Sequence, residues 1–123
     1  MNNRDLISKW LEVFGKDVDE NLIRTRVIAK GNYLWHIFTW GNVTCLEGDD
    51  ARQAFNDLQY TEAIKFCDGY SNHIKGVCEV EKTTANDVDE DSNRDVYIVA
   101  KDFSWTYVRT HESACGPYLC IKK

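Results

Sequence analysis

The strongest constraint on the fold is a pair of strand-like segments in the C-terminal third of the chain. Residues 96–100 form a continuous apolar run, and residues 103–111 alternate aromatic with mostly polar side chains. The polar pair Lys101-Asp102 between them is typical of a hairpin turn. Side chains of a strand alternate faces with a period of two. We therefore predict an antiparallel hairpin whose second strand is central and buries Trp105.

Two helices are predicted in the N-terminal half. Apolar side chains recur at helical spacing over residues 4–14, and Gly15 follows where a helix commonly ends. Residues 50–58 carry a second apolar stripe, and Asp49 and Asp50 at its start favour the helix N-terminus. Both stripes predict packing against a sheet.

The remaining segments predict further strands and one loop. Residues 22–29 fit a helix or a strand, and their β-branched content favours a strand. The acidic residues 83–94 lack periodicity, which predicts an exposed loop. The other predicted strands are 33–40, 63–67, 74–80 and 118–121. We expect one α+β domain over residues 1–123, with a mainly antiparallel sheet of five or six strands and the two helices packed on one face.

Charge is distributed unevenly along the chain. The net charge is −5, and residues 79–95 hold seven acidic and two basic side chains, so this segment carries all of it. Direct binding of nucleic acid is disfavoured, since such proteins present a clustered basic face. The pattern instead predicts a basic protein partner, steered by Asp87, Asp89, Glu90 and Asp91.

Four side chains are candidates for a small catalytic site. His36 lies in an apolar segment and needs a hydrogen-bond partner if it is buried. Arg109 and His111 end the face that begins with Phe103, and together they could bind an anion or pair with surface carboxylates. Cys115 follows His111 closely, as a thiol nucleophile or as an inert thiol near a turn.

The cysteines favour a reducing compartment and no metal site. Five cysteines are scattered, odd in number and without Cys-x-x-Cys spacing, so we expect reduced thiols in a cytoplasmic protein. His111, Cys115 and Cys120 lack a fourth zinc ligand nearby. No phosphate-binding loop or hydrolase motif occurs. No cofactor is expected, and no apolar run reaches the length of a membrane span.

Two stretches of the chain carry recognisable motifs. They cover the segments 33–40, 45–48 and 54–56, and then 95–112 and 115–118. The Trp35-His36 pair and the Thr110-His111-Glu112 run are the specific parts. These segments resemble the DUF4275 proteins, a bacterial family of unknown function. The resemblance implies a small cytosolic bacterial protein and supports testing the two histidines, and it implies no activity.

Three functions remain open at this point. Small size, the missing catalytic motif and the acidic segment predict a non-catalytic binding protein, most concretely an immunity or antitoxin-type inhibitor of a basic, nuclease-like toxin. The alternative is a small enzyme with a site formed by His36, Arg109 and His111. A third alternative is a structural subunit without a site of its own.

Overall fold

One six-stranded antiparallel sheet organises the molecule. The computed structural model describes residues 2–28, 33–40, 43–68, 74–112 and 114–122. The strands are β1 (Leu46–Glu47), β2 (Glu62–Asp68), β3 (Ile74–Glu81), β4 (Val96–Ala100), β5 (Trp105–Arg109) and β6 (Tyr118–Ile121). They lie in the order β1-β6-β5-β4-β2-β3, and every neighbouring pair is antiparallel.

Helical segments flank this sheet. They are α1 (Asn3–Phe14), α2 (Glu20–Leu22) continuing as a π-helix (Ile23–Ile28), a 3₁₀ helix (Leu34–Trp40), α3 (Gly48–Asp57) and α4 (Ala85–Asp89). Within the described part of the chain, no helix has the length and apolar character needed to cross a membrane. The antiparallel sheet and the helices that flank it confirm the predicted α+β class.

The predicted hairpin is confirmed as β4 and β5. β5 lies between β4 and β6, and Tyr107 sits opposite Ile98 on β4. Trp105 is 6% exposed, as predicted for a central strand. The strand is shorter than expected, because Phe103 occupies a turn with a φ of 59°. Its ring packs near Phe14 of α1 and not beside Trp105.

The two main helices lie on opposite faces of the sheet, which corrects the prediction that both pack on one face. On the α1 face, Trp10 meets Tyr97 at 5.4 Å between ring centroids. On the α3 face, Phe55 stacks on Tyr107 at 4.0 Å. The reason is that all five residues of β4 are buried. A strand that is apolar on both sides needs cover on both faces.

The segment predicted as a strand over residues 33–40 forms instead the 3₁₀ helix Leu34–Trp40. Leu34, Trp35, Ile37 and Phe38 are buried in the α1-face core. Their spacing suits one face of a helix, so packing outweighs the strand preference of aromatic and β-branched residues.

Residues 22–28 are also helical, in α2 and the π-helix, against the favoured strand. Asp19 caps this segment, since its Oδ1 accepts a hydrogen bond from the backbone N of Asn21 at 2.7 Å. The last residue of the predicted element, residue 29, lies outside the described residues.

The predicted acidic loop contains helix α4. Thr84 and Asp87 form a capping box, in which each side chain accepts from the backbone N of the other at 3.2 Å. Ala85 and Val88 are buried against the α3 face. A Thr-x-x-Asp pattern is a recognised helix start, and two apolar residues are enough to anchor this single turn.

Candidate functional site

The structure brings His36 and His111 together with three other side chains. We call this group, formed by Tyr33, Trp35, His36, Asp95 and His111, the histidine cluster. The ring centroid of Trp35 lies 4.1 Å from His36 and 5.9 Å from His111. The ring of Tyr33 lies 6.3 Å from His36 and 4.9 Å from His111. The two histidines thus share the same two aromatic neighbours.

Asp95 holds His111 in a defined orientation. This carboxylate, directly before β4, is 1% exposed. Its Oδ1 accepts a hydrogen bond from the backbone N of His111 at 2.7 Å and lies 2.9 Å from the ring Nδ1. An ionised carboxylate only accepts, so Nδ1 carries a proton and the neutral ring keeps its lone pair on Nε2. That Nε2 lies 3.7 Å from Oε1 of Glu112.

The end of β5 separates the roles of Arg109 and His111. Alternation stops at Arg109, so His111 turns to the aromatic rings of the α1 face. The guanidinium of Arg109 donates to the carbonyl oxygens of Asp89, Asp91 and Asn93. Arg109 and His111 nevertheless line the same surface cavity, so the predicted anion site of these two side chains stays a prediction.

His36 is held in its neutral form. Burial lowers the pKa of His36, and a positive charge on His111 acts in the same direction. The carboxylates of Glu112 and Asp95 offset this only in part. Because an unperturbed histidine titrates near pH 6.5, His36 is uncharged at neutral pH. It can therefore donate from one ring nitrogen and accept at the other.

Two polar atoms of the cluster stay unsatisfied by the described residues. They are Oδ2 of Asp95 and Nε1 of Trp35, both buried. Buried polar groups are rarely left without a partner, since each costs roughly 1–3 kcal/mol. A catalytic role is one of the explanations for such a buried, unpaired group.

Cys115 is placed beside a carboxylate and not beside a base. Its Sγ donates to Oε2 of Glu112 at 3.4 Å. Burial and this carboxylate raise the pKa of Cys115, so the thiol stays protonated at neutral pH. The surface cavity that Arg109 and His111 share has a volume of about 240 Å³ and also borders Glu112 and Cys115. That volume lies just below the roughly 300–1,000 Å³ of a typical ligand pocket.

The four residues predicted to bind a partner are mostly engaged within the molecule. Asp87 caps α4. Asp89 forms an ion pair with Arg52, and Asp91 forms one with Lys65. Burial raises the pKa of Asp91, but hydrogen bonds from Lys65 and Asn93 outweigh it and lower that pKa to about 2. Among these four carboxylates, only Glu90 has no polar side-chain contact within the described residues.

Three members of the cluster, Tyr33, Trp35 and Asp95, were not predicted from the sequence as site residues. One signal was present, since Asp95 is a single carboxylate placed directly before the apolar run of β4. A carboxylate in that position is buried with the strand and then requires a donor. In the described ranges, no three His, Cys, Asp or Glu side chains are arranged to hold a metal ion.

Comparison with known proteins identifies the family. No curated protein and no solved structure matches the chain. The family described as a domain of unknown function (DUF4275) matches residues 5–119, which include every member of the histidine cluster. Because this match spans nearly the whole chain, the protein belongs to the DUF4275 family.

Proposed function

We propose that this protein is a small hydrolytic enzyme in which His111 is the general base. One observation carries the proposal: buried Asp95 accepts from both the backbone N and the ring Nδ1 of His111. A carboxylate in this position orients an imidazole and stabilises the imidazolium that forms during proton transfer. The Nε2 lone pair then remains for a water molecule.

The proposed chemistry uses water as the nucleophile. His111 Nε2 takes a proton from water while the water oxygen attacks an ester-type carbonyl, and the imidazolium returns the proton to the leaving alcohol. Oε1 of Glu112 lies 3.7 Å from this Nε2. Cys115 is not assigned the nucleophile, because its pKa is raised by burial and by Glu112. Neutral His36 takes no part in the proton transfer and is assigned a positioning role, because it contacts Trp35 and Tyr33, the two rings that border His111.

Variants at His111 separate catalysis from folding. In His111→Asn the amide nitrogen occupies the place of Nδ1, so the contact with Asp95 survives while the base is lost. With p-nitrophenyl acetate as the probe, we expect kcat/KM to fall about 100-fold or more. The acid limb of the pH profile, where protonation inactivates the base, should vanish, and the free energy of unfolding should change little.

Two results would overturn the proposal. One is a wild-type rate no higher than that of free imidazole at the same concentration. The other is an equal rate in wild type and His111→Asn, which would leave Asp95 and His111 as structural partners. Cys115→Ser is the matched control, and it should retain the wild-type rate. A lower rate in Cys115→Ser would indicate that the Cys115 thiol, and not water, is the nucleophile.

A second proposal is the non-catalytic immunity or antitoxin-type inhibitor of a basic toxin. The observation that favours it is a corner of the sheet where Glu62 lies directly opposite Glu81. Like charges opposed across strands are unfavourable. Lys101 contacts Glu62 at 3.5 Å and Glu79 at 2.6 Å. A basic partner would relieve the remaining repulsion at this corner.

Salt-dependent association tests this second proposal. A lysine-rich peptide is the probe, measured by stopped flow over a salt series. A triple Gln variant at Glu62, Glu79 and Glu81 should associate more slowly and with a weaker salt dependence. The control replaces Asp87, Asp89, Glu90 and Asp91 by their amides. Equal rates and slopes in all three proteins would exclude electrostatic capture at either surface.

We also propose a bacterial, cytoplasmic setting. All five cysteines are free thiols, which is the state kept by a reducing compartment. Alkylation of the protein directly in lysed cells should label all five thiols. Disulfides present before lysis would contradict this setting.

A further inference from the structure

Cys45 directly precedes β1, and extending the register of the β1–β6 pair by one residue places it opposite Cys120. Leu46 is the register partner of Leu119, so in an antiparallel ladder the preceding residue Cys45 comes next to Cys120. Directly opposed residues in such a ladder have Cα atoms roughly 4.5–5.5 Å apart. A disulfide bridges Cα separations of about 4.4–6.8 Å.

Both thiols lie in the same layer of the molecule. Cys120 is fully buried in the α1-face core, and Cys45 packs against that core from the edge. The Sγ of Cys120 contacts the carbonyl oxygen of Thr44 at 3.7 Å, one residue from Cys45. The two side chains therefore extend to the same side of the sheet, as a cross-strand disulfide requires.

We propose that Cys45 and Cys120 form a reversible cross-strand disulfide when the protein meets a small-molecule disulfide. The Cys45 thiolate attacks one sulfur of the reagent and releases one small thiol. The Cys120 thiolate then attacks Cys45 in this mixed disulfide and releases the second thiol. Two protein thiols are oxidised, and one small disulfide is reduced to two thiols.

The bridge would close a loop of roughly 75 residues, which restricts the unfolded chain and raises stability. It would also join two segments that border the histidine cluster. Cys45 lies after the 3₁₀ helix that contains His36, and Cys120 lies in β6 after the loop with His111. Oxidation would thus fix the relative positions of the two halves of the cluster.

The reaction should be slow at neutral pH. Burial raises the pKa of Cys45 to about 11, and the nearby charge of Cys120 adds to this effect. Burial also raises the pKa of Cys120. Because only the thiolate attacks a disulfide, the rate should rise about tenfold per pH unit between pH 7.5 and 9.5.

The other neighbouring thiols supply an internal contrast. Cys78 is exposed on β3, and its register partner is Lys65 and not Cys67. Cys67 is buried on β2. This pair is diagonal and not directly opposed, so exposed Cys78 should form a mixed disulfide with the reagent and no internal bridge.

The test incubates the full chain with glutathione disulfide at pH 8.5, followed by alkylation and non-reducing peptide mapping. We expect a linked Cys45–Cys120 peptide and a rise in Tm of about 10 °C, reversed by dithiothreitol. Cys78→Ser should keep both effects. Cys45→Ala should lose both, and it is the preferred variant because Cys120 is more deeply buried.

Three outcomes would overturn the inference. They are a link between Cys67 and Cys78, a link from either proposed thiol to Cys115, or glutathione adducts alone after complete reaction. None depends on the hydrolytic activity of His111, so this inference and the proposed function fail independently.

Discussion

The histidine cluster and the segment of residues 84–93 both contain carboxylates, but the two regions differ in how those carboxylates are neutralised and buried. In the segment of residues 84–93, Asp89 and Asp91 each meet a cation, Arg52 or Lys65. In the histidine cluster, Asp95 is fully buried and meets His111, while its Oδ2 has no partner among the described residues. The high density of charge along the chain therefore marks a region whose carboxylates are neutralised by ion pairs. The candidate site is marked instead by the burial of one carboxylate, Asp95.

The largest expected effect is at Asp95. Asp95→Ala should lower the free energy of unfolding by about 3 kcal/mol, because the backbone N of His111 loses its buried acceptor. Asp95→Asn keeps an acceptor oxygen and should cost less. Urea denaturation measures both. A loss below about 1 kcal/mol in the alanine variant would remove the contrast between the two regions.

The next effect is the pH dependence supplied by Asp91. Its folded pKa of about 2 lies below the unfolded value near 3.9. The stabilisation that ionised Asp91 gives the folded state is therefore fully present above about pH 5 and is lost as the pH falls toward 2. We expect the free energy of unfolding of wild type to exceed that of Asp91→Asn by about 2 kcal/mol at pH 6, and this difference should largely disappear at pH 2. A gap independent of pH would contradict the ion pair with Lys65.

Removal of the cation partner should have a smaller effect. Lys65→Met should cost about 1 kcal/mol, because Asp91 is only 13% exposed and would lose its neutralising neighbour. Lys75→Met on the neighbouring strand β3 is the control, since Lys75 is exposed and should change nothing measurable. Equal losses in both variants would mean that the effect comes from general surface charge.

The smallest effect is expected at the exposed end of α4. Asp89→Asn should cost about 0.5 kcal/mol, because Asp89 and Arg52 are 42% and 28% exposed and solvent screens the pair. Glu90→Gln should leave stability unchanged. A loss above about 1.5 kcal/mol at Asp89 would show that this region is as tightly coupled as the histidine cluster.

The sequence by itself determined the elements whose information is local. The β4–β5 hairpin follows from an apolar run, a polar turn and alternation, and α1 follows from its apolar stripe. Helix α4 was missed although Thr84 and Asp87 signal it, because the surrounding charges dominated the interpretation. His36 and His111 could be selected as candidates, whereas the position of Asp95 before β4 signals its burial but does not identify His111 as its partner.

Only the tertiary structure decided the form of residues 33–40 and the composition of the candidate site. The aromatic and β-branched residues of that segment favour a strand, and packing over Tyr97 selects the 3₁₀ helix. The Tyr97 hydroxyl accepts a hydrogen bond from the backbone N of Trp35 at 3.0 Å. His36 and His111, which are 75 residues apart in the chain, contact the same two aromatic rings. Contacts of that separation depend on how whole elements pack, because no local propensity acts over such a distance.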